Sequence, residues 1–168
     1  YPADQNELTN PYAVQAVIVM GQYVLLTIES GTTSDSTLWF PAGKVENTDD
    51  SPRHAMIREL EEETGLIISR SHLVHLGHYA KNSKAERLTC QLYHAELQPP
   101  EGDEIRITQS SRRSSSNGTV VLQAARWVPI EVIIALSGKK KGEQRLRFPS
   151  IDRLTMEFLT HHRLGVTK

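Results

Sequence analysis

Two apolar, largely β-branched runs open the chain, residues 12–20 (YAVQAVIVM) and 23–28 (YVLLTI), separated by Gly21-Gln22. They predict two strands joined by a tight turn. The polar stretch 30–36 reads as a loop by composition. Ser51-Pro52 then opens a helix predicted over residues 52–64. Serine at the N-cap accepts from orphan backbone N–H groups, and proline at the first helical position has no N–H to leave unpaired. Gly65 stands where a left-handed C-cap is expected. Residues 73–80, 87–97 and 119–128 predict further strands, and 130–136 a short helix after Pro129. Residues 150–162 predict an amphipathic helix, with Ile151, Leu154, Phe158 and Leu159 on one stripe and Ser150 as its cap. The stretches 110–118 and 139–142 read as mobile. Strands and helices alternate without segregating, which predicts α/β layering around one sheet.

Composition narrows this picture. At 168 residues the chain predicts a single domain over 1–168, since no internal repeat and no Pro/Gly/Ser-rich linker divides it. Nineteen basic against twenty acidic residues leave a formal charge of −1, so no global field draws it to nucleic acid or anionic lipid. No apolar run approaches the roughly 18 residues of a membrane span. Cys90 is the single cysteine, which excludes an internal disulfide framework. The opening Tyr1-Pro2-Ala3-Asp4 carries no basic-then-apolar signal pattern, and the expected location is cytoplasmic.

The chemistry concentrates in Arg58-Glu-Leu-Glu-Glu-Glu-Thr-Gly65. At about 100° per residue, Glu59, Glu62 and Glu63 fall within an arc of about 100°, with Glu61 on the far side. Ile57, Leu60 and Thr64 share another face, the expected core contact. Carboxylates at i, i+3 and i+4 repel one another, and near a helix C-terminus the macrodipole disfavours them too. A hard divalent cation reverses both penalties, because Mg²⁺ prefers carboxylate oxygens. The competing reading is a solvated helix face, and carboxylate spacing alone leaves the two level.

The preceding residues tip the balance. Phe40-Pro-Ala-Gly-Lys-Val-Glu46, a polar loop, then Arg58 to Leu66 resemble the Nudix box, Gly-x5-Glu-x7-Arg-Glu-apolar-x-Glu-Glu-x-Gly-apolar. Gly43 takes the first place, and Arg58, Glu59, Leu60, Glu62, Glu63, Gly65 and Leu66 the last cluster. The sequence departs from the pattern in having one extra residue between Gly43 and Asp50, and in Asp50 standing where the family usually has Glu. A loop absorbs such an insertion at little cost; either Asp49 or Asp50 is then left for the family glutamate's supporting role, with Asp50 keeping the downstream spacing. Ala42 stands where a second glycine is common.

The resemblance spans residues 12–136 and implies an α/β/α sandwich with a mixed β-sheet. It further implies a metal-dependent hydrolase, using Mg²⁺ or Mn²⁺, that cleaves the pyrophosphate linkage of a nucleoside diphosphate joined to another moiety. By the same resemblance Glu59, Glu62 and Glu63 are metal ligands, with the Gly43 carbonyl a further one. Arg58 orients a carboxylate, and Glu62 is the box residue chosen as base. Phe40, Ala42, Lys44 and Glu104 are candidate substrate contacts. Glu101, Asp103 and Glu104 offer a downstream acidic residue, or simply a solvated turn. The alternative function is a nucleotide-binding regulatory module of the same fold, a reading that loss of a box glutamate favours; all three are present. An apolar C-terminal helix is also compatible with a homodimer.

Other features have plainer readings. His72, His75 and His78 lie in a strand-like segment without a completing zinc set, and His161-His162 reads as the fraying end of the last helix. Cys90 reads as a small core or surface residue. The stretch 139–147 carries a net +4 and suits a polyphosphate, an RNA 5′ end or, more simply, a solvated loop. Arg112-Arg113 reads as a substrate lid or as a disordered pair. Trp39, Phe40 and Tyr79 suit stacking on a base or a place in the core.

Overall fold

A computed structural model describes residues 6–30, 36–83, 86–98, 110–114, 120–137, 146–147 and 151–165. Among the described residues, nine strands and three α-helices follow in the order β1 (Ala13–Met20), β2 (Tyr23–Ser30), β3 (Ser36–Trp39), β4 (Ala42–Lys44), α1 (Pro52–Thr64), β5 (Val74–Ser83), β6 (Glu86–Leu97), β7 (Ser110–Ser114), β8 (Val120–Pro129), α2 (Ile130–Ser137), β9 (Leu146–Arg147) and α3 (Arg153–Arg163). The sheet is mixed: β1 runs parallel to β6 along its whole length and antiparallel to β2 at its far end.

That far-end pairing is short, covering only Val19↔Val24 and Met20↔Tyr23. Beyond it the two strands separate, and β3 and β4 fill the opening. β3 pairs with β2 and β4 with β1, so residues 36–44 cross from one strand to the other. The Ala16 N–H donates to the Pro41 carbonyl at 3.0 Å and the Thr27 hydroxyl to the Trp39 carbonyl at 3.2 Å, which fixes this crossing. Ala42 and Gly43 are thereby set in the middle of the sheet, opposite Gln15 and Val14.

Alternation along β1 divides the core. Val14, Ala16 and Ile18 pack with Ala55, Met56 and Leu60 of α1 on one face. Val17 and Val19 face the other way, among Ile130 and Ile133 of α2 and Leu154, Phe158 and Leu159 of α3. Both faces are covered, which is why β1 reads as a nearly unbroken apolar run. The result is the α/β/α sandwich expected.

Several local expectations need correction. The last helix begins at Arg153, not at residue 150, because Asp152 is the cap: its carboxylate accepts from the Thr155 N–H at 2.9 Å. The stretch 110–118, expected to be mobile, contains β7, whose backbone pairs with β8. β4 lies over residues to which no element was assigned from the sequence. Residues 139–142 lie outside the described residues. His162 does not fray: it is buried, and its Nε2 donates to the Gly21 carbonyl at 2.6 Å, pinning α3 to the β1–β2 turn. Cys90 is buried, and burial pushes its thiol up to about 12, which makes it inert at neutral pH. Among the described residues no helix is long and apolar enough to cross a membrane.

His94 on β6 packs 4.6 Å from the Phe158 ring and has a buried Nε2 without a partner. Burial pushes this imidazole down from 6.5 to about 4, with His162 and His75 adding repulsion. The unfolded chain therefore takes up the proton before the folded one. Stability is complete above pH 6.5 and declines as pH falls from there toward 4. Urea titrations are expected to show His94 costing about 2 kcal/mol between pH 7 and pH 5. In His94→Gln that part of the pH dependence is expected to vanish.

Candidate active site

The site is assembled where α1 lies against β4. Ser51 caps the helix, accepting from the His54 N–H at 3.1 Å, and Gly65 closes it with φ 77°. With both ends fixed, the phase of α1 is fixed, and Leu60 and Thr64 turn into the core. Glu59 and Glu63 turn inward as well, only 2% and 4% exposed, whereas Glu61 and Glu62 remain exposed. A solvated helix face is excluded for Glu59 and Glu63.

Each inward carboxylate meets the β4 backbone. Glu63 Oε1 accepts from the Ala42 N–H at 3.3 Å. Glu59 lies over Gly43, where an added Cβ would come within 2.1 Å of its carboxyl carbon. Glycine is required here for close approach, not for backbone conformation.

Arg58 ties the acidic side chains together. Its Nε and Nη2 donate to the two Asp49 oxygens, each at 3.0 Å, and Nη2 also donates to the Lys44 carbonyl at 3.1 Å. Its Nη1 donates to Glu59 at 3.0 Å and to Glu62 at 3.3 Å, with Glu46 further off at 3.7 Å. The fork geometry of guanidinium suits this division. The Asp49 carboxylate, sealed from solvent, is held below its ordinary value first by the Arg58 hydrogen bonds. In turn Asp49 raises Arg58 further above its own.

Asp49, not Asp50, therefore partners Arg58. Asp50 keeps the downstream spacing, but it is exposed and its N–H donates to His54 Nδ1 at 3.2 Å. The signal was present in the extra loop residue: an insertion ahead of a capped helix moves the register on the loop side only.

The substrate-contact candidates separate. Ala42 is half-buried in β4, and Lys44 is exposed with its Nζ 5.5 Å from the Tyr12 ring centroid. Phe40 is 1% exposed within the core, so it has no face for a ligand. Glu101, Asp103 and Glu104 lie outside the described residues. The side chains of Arg112 and Arg113 are not described. Trp39 is half-buried, its Nε1 donating to Gln15 Oε1 at 3.2 Å. Among the described residues, no three His, Cys, Asp or Glu side chains are gathered closely enough to hold a metal ion as they stand. An open cleft of about 730 Å³ runs between residues 9–12, the loop 45–52 and residues 88–89, with Glu46 and Asp49 among its lining residues and none of the three glutamates.

Residues 9–149 match the NUDIX domain family model. This chain belongs to the Nudix family. It is a Nudix hydrolase, a pyrophosphohydrolase by class. Its structure is similar to the NUDIX domain of Shewanella oneidensis NrtR complexed with ADP ribose, at a TM-score of 0.59 and 17% identity, covering 94% of this chain and 90% of that one. It resembles the Escherichia coli ORF135 protein at a TM-score of 0.55 and 20% identity, with 93% of each chain covered. A NUDIX hydrolase from Nitrosomonas europaea is 25% identical over 93% of this chain and 90% of its own, at a TM-score of 0.53. No curated protein matches significantly.

Two predictions concern this Nudix site. Asp49→Asn is expected to lower stability by about 2 kcal/mol at pH 7 in urea titrations, and Asp50→Asn by less than about 0.5 kcal/mol. Because Asp49 is held below 3.8, its contribution is complete above that pH and is lost as pH falls below it, so the gap between the variants is expected to close in acid. Gly43→Ala forces Glu59 out of place; an ångström-scale misplacement costs roughly 100-fold in turnover, read as kcat.

Proposed function

We propose that this Nudix hydrolase cleaves the pyrophosphate linkage of a nucleoside diphosphate joined to another moiety, and that it depends on Mg²⁺ or Mn²⁺. The observation that carries this reading is that Glu59 and Glu63 fold inward onto Gly43 and Ala42, while Glu61 of the same helix faces solvent. The donors fit a hard divalent cation: they are carboxylate oxygens, and Gly43 leaves room for one of them against the main chain. Glu59, Glu62 and Glu63 would hold it, with the Gly43 carbonyl. When bound, it supplies neutralisation of the phosphate oxygens and Lewis acidity toward water.

The chain's own residues do the rest. Arg58 holds both Glu59 and Glu62 through its Nη1, which limits their rotamers before substrate arrives. Glu62, half exposed and reachable by water, takes the proton of the attacking water at its carboxylate. The Ala42 N–H keeps Glu63 turned toward β4. Lys44, exposed on the same strand, places an ammonium beside the incoming phosphates.

The test is a hydrolysis panel with Mg²⁺ and separately Mn²⁺: ADP-ribose (the ligand of the NrtR domain), dinucleoside polyphosphates, NADH, nucleoside triphosphates, nucleotide sugars and capped RNA. Turnover of at least one member is expected, abolished by EDTA. Glu62→Gln and Glu63→Gln are expected to lower kcat by roughly 100-fold or more, with folding intact. Glu61→Gln is expected to stay near wild type; a loss equal to the other two would overturn the assignment of the arc.

A further inference from the structure

The first turn of α1 carries a histidine whose ring faces two partners of opposite character. His54 follows the Ser51-Pro52 start, and its side chain is 46% exposed. Its Nδ1 lies 3.2 Å from the Asp50 backbone nitrogen and 3.2 Å from Asp49 Oδ1. One ring nitrogen cannot serve both. With a bare lone pair it accepts from the Asp50 N–H; carrying a proton it donates to the Asp49 carboxylate.

The surrounding bonds favour the first arrangement. Asp49 Oδ1 already accepts from Arg58 Nε at 3.0 Å, and Oδ2 accepts from Arg58 Nη2 at 3.0 Å and from the Glu46 N–H at 2.8 Å. That carboxylate is satisfied without the imidazole. A charged ring would also stand in the first turn of a helix, where the macrodipole disfavours a cation. In a capping box the third helical side chain reaches back to the N–H of the cap. His54 reaches one residue further, past Ser51 to the Asp50 N–H. That donor belongs to the peptide joining Asp49 to Asp50. Holding it fixes which aspartate turns inward: Asp49 is sealed against Arg58, and Asp50 is exposed.

We propose that His54 is a positioning residue for hydrolysis, whose unprotonated Nδ1 holds the Asp49–Asp50 peptide so that Asp49 is the aspartate that reaches Arg58. Through that ion pair it steadies the guanidinium whose Nη1 holds Glu59 and Glu62. The inference rests on the role given to these glutamates above, and it adds a residue from the variable stretch between Asp50 and Arg58.

Nitrogen NMR of the full chain without metal or substrate reads the ring directly. At neutral pH, Nδ1 is expected to show the shift of a bare ring nitrogen and a coupling across the contact to the Asp50 amide. A proton on Nδ1, or no coupling to Asp50, would overturn the proposal. His54→Ala is expected to move the Arg58 Nε–H resonance toward its position in Asp49→Asn. It is also expected to lower kcat roughly tenfold with KM nearly unchanged, because the effect passes through the base and not through a substrate contact. His54→Asn sets an acceptor oxygen at the reach of Nδ1, and is expected to restore both the resonance and kcat to within about twofold of wild type. Equal losses in the two variants, or none in His54→Ala, would show that the ring is only a surface group. A wild type silent across the whole panel, with the Nδ1 contact observed, would instead refute the hydrolase reading and leave the hold of His54 on Asp49 standing.

Discussion

One guanidinium organises the acidic side of this Nudix domain. Arg58 reaches the box loop through Asp49 and the Lys44 carbonyl, and its own helix through Glu59 and Glu62. Without it, several carboxylates would face one another across a narrow gap, and their repulsion would drive the loop from α1. With it, loop and helix share a single charge-assisted network, and the inward glutamates are held where the β4 backbone can receive them.

The sheet provides the other half of that constraint. β1 and β2 stay paired only near their connecting turn, and residues 36–44 enter where they part. This crossing puts Gly43 under Glu59 and sets Gln15 beside Ala42. A helix bearing four glutamates has no site by itself. It acquires one because a glycine on a central strand lets a carboxylate approach the main chain.

On the opposite face the same sheet is closed by α2 and α3, and α3 is fastened by His162 to the Gly21 carbonyl. His94 and His162 both lie against the Phe158 ring there, and the buried His94 makes that contact sensitive to acid. The two faces thus respond to pH through different groups: His94 below neutrality, and Asp49 only in much stronger acid.

What the sequence determined by itself was local. The Ser51-Pro52 start and the Gly65 stop set α1 to the residue, because caps act through neighbouring backbone groups. The apolar runs set β1, β2 and their turn, and the box set the family. What the tertiary structure decided was every choice between near-equivalent residues. Asp49 prevails over Asp50 because the guanidinium, not the count along the chain, selects the carboxylate it can reach. Phe40 enters the core although it adjoins the box, and His162 becomes an anchor because a carbonyl from the distant β1–β2 turn lies within its reach. β4 and β7 were illegible for a related reason: short polar strands carry no periodic signal, and they exist only through partners elsewhere in the chain. Spacing along a chain describes its neighbours; burial and charge pairing depend on what folding brings alongside.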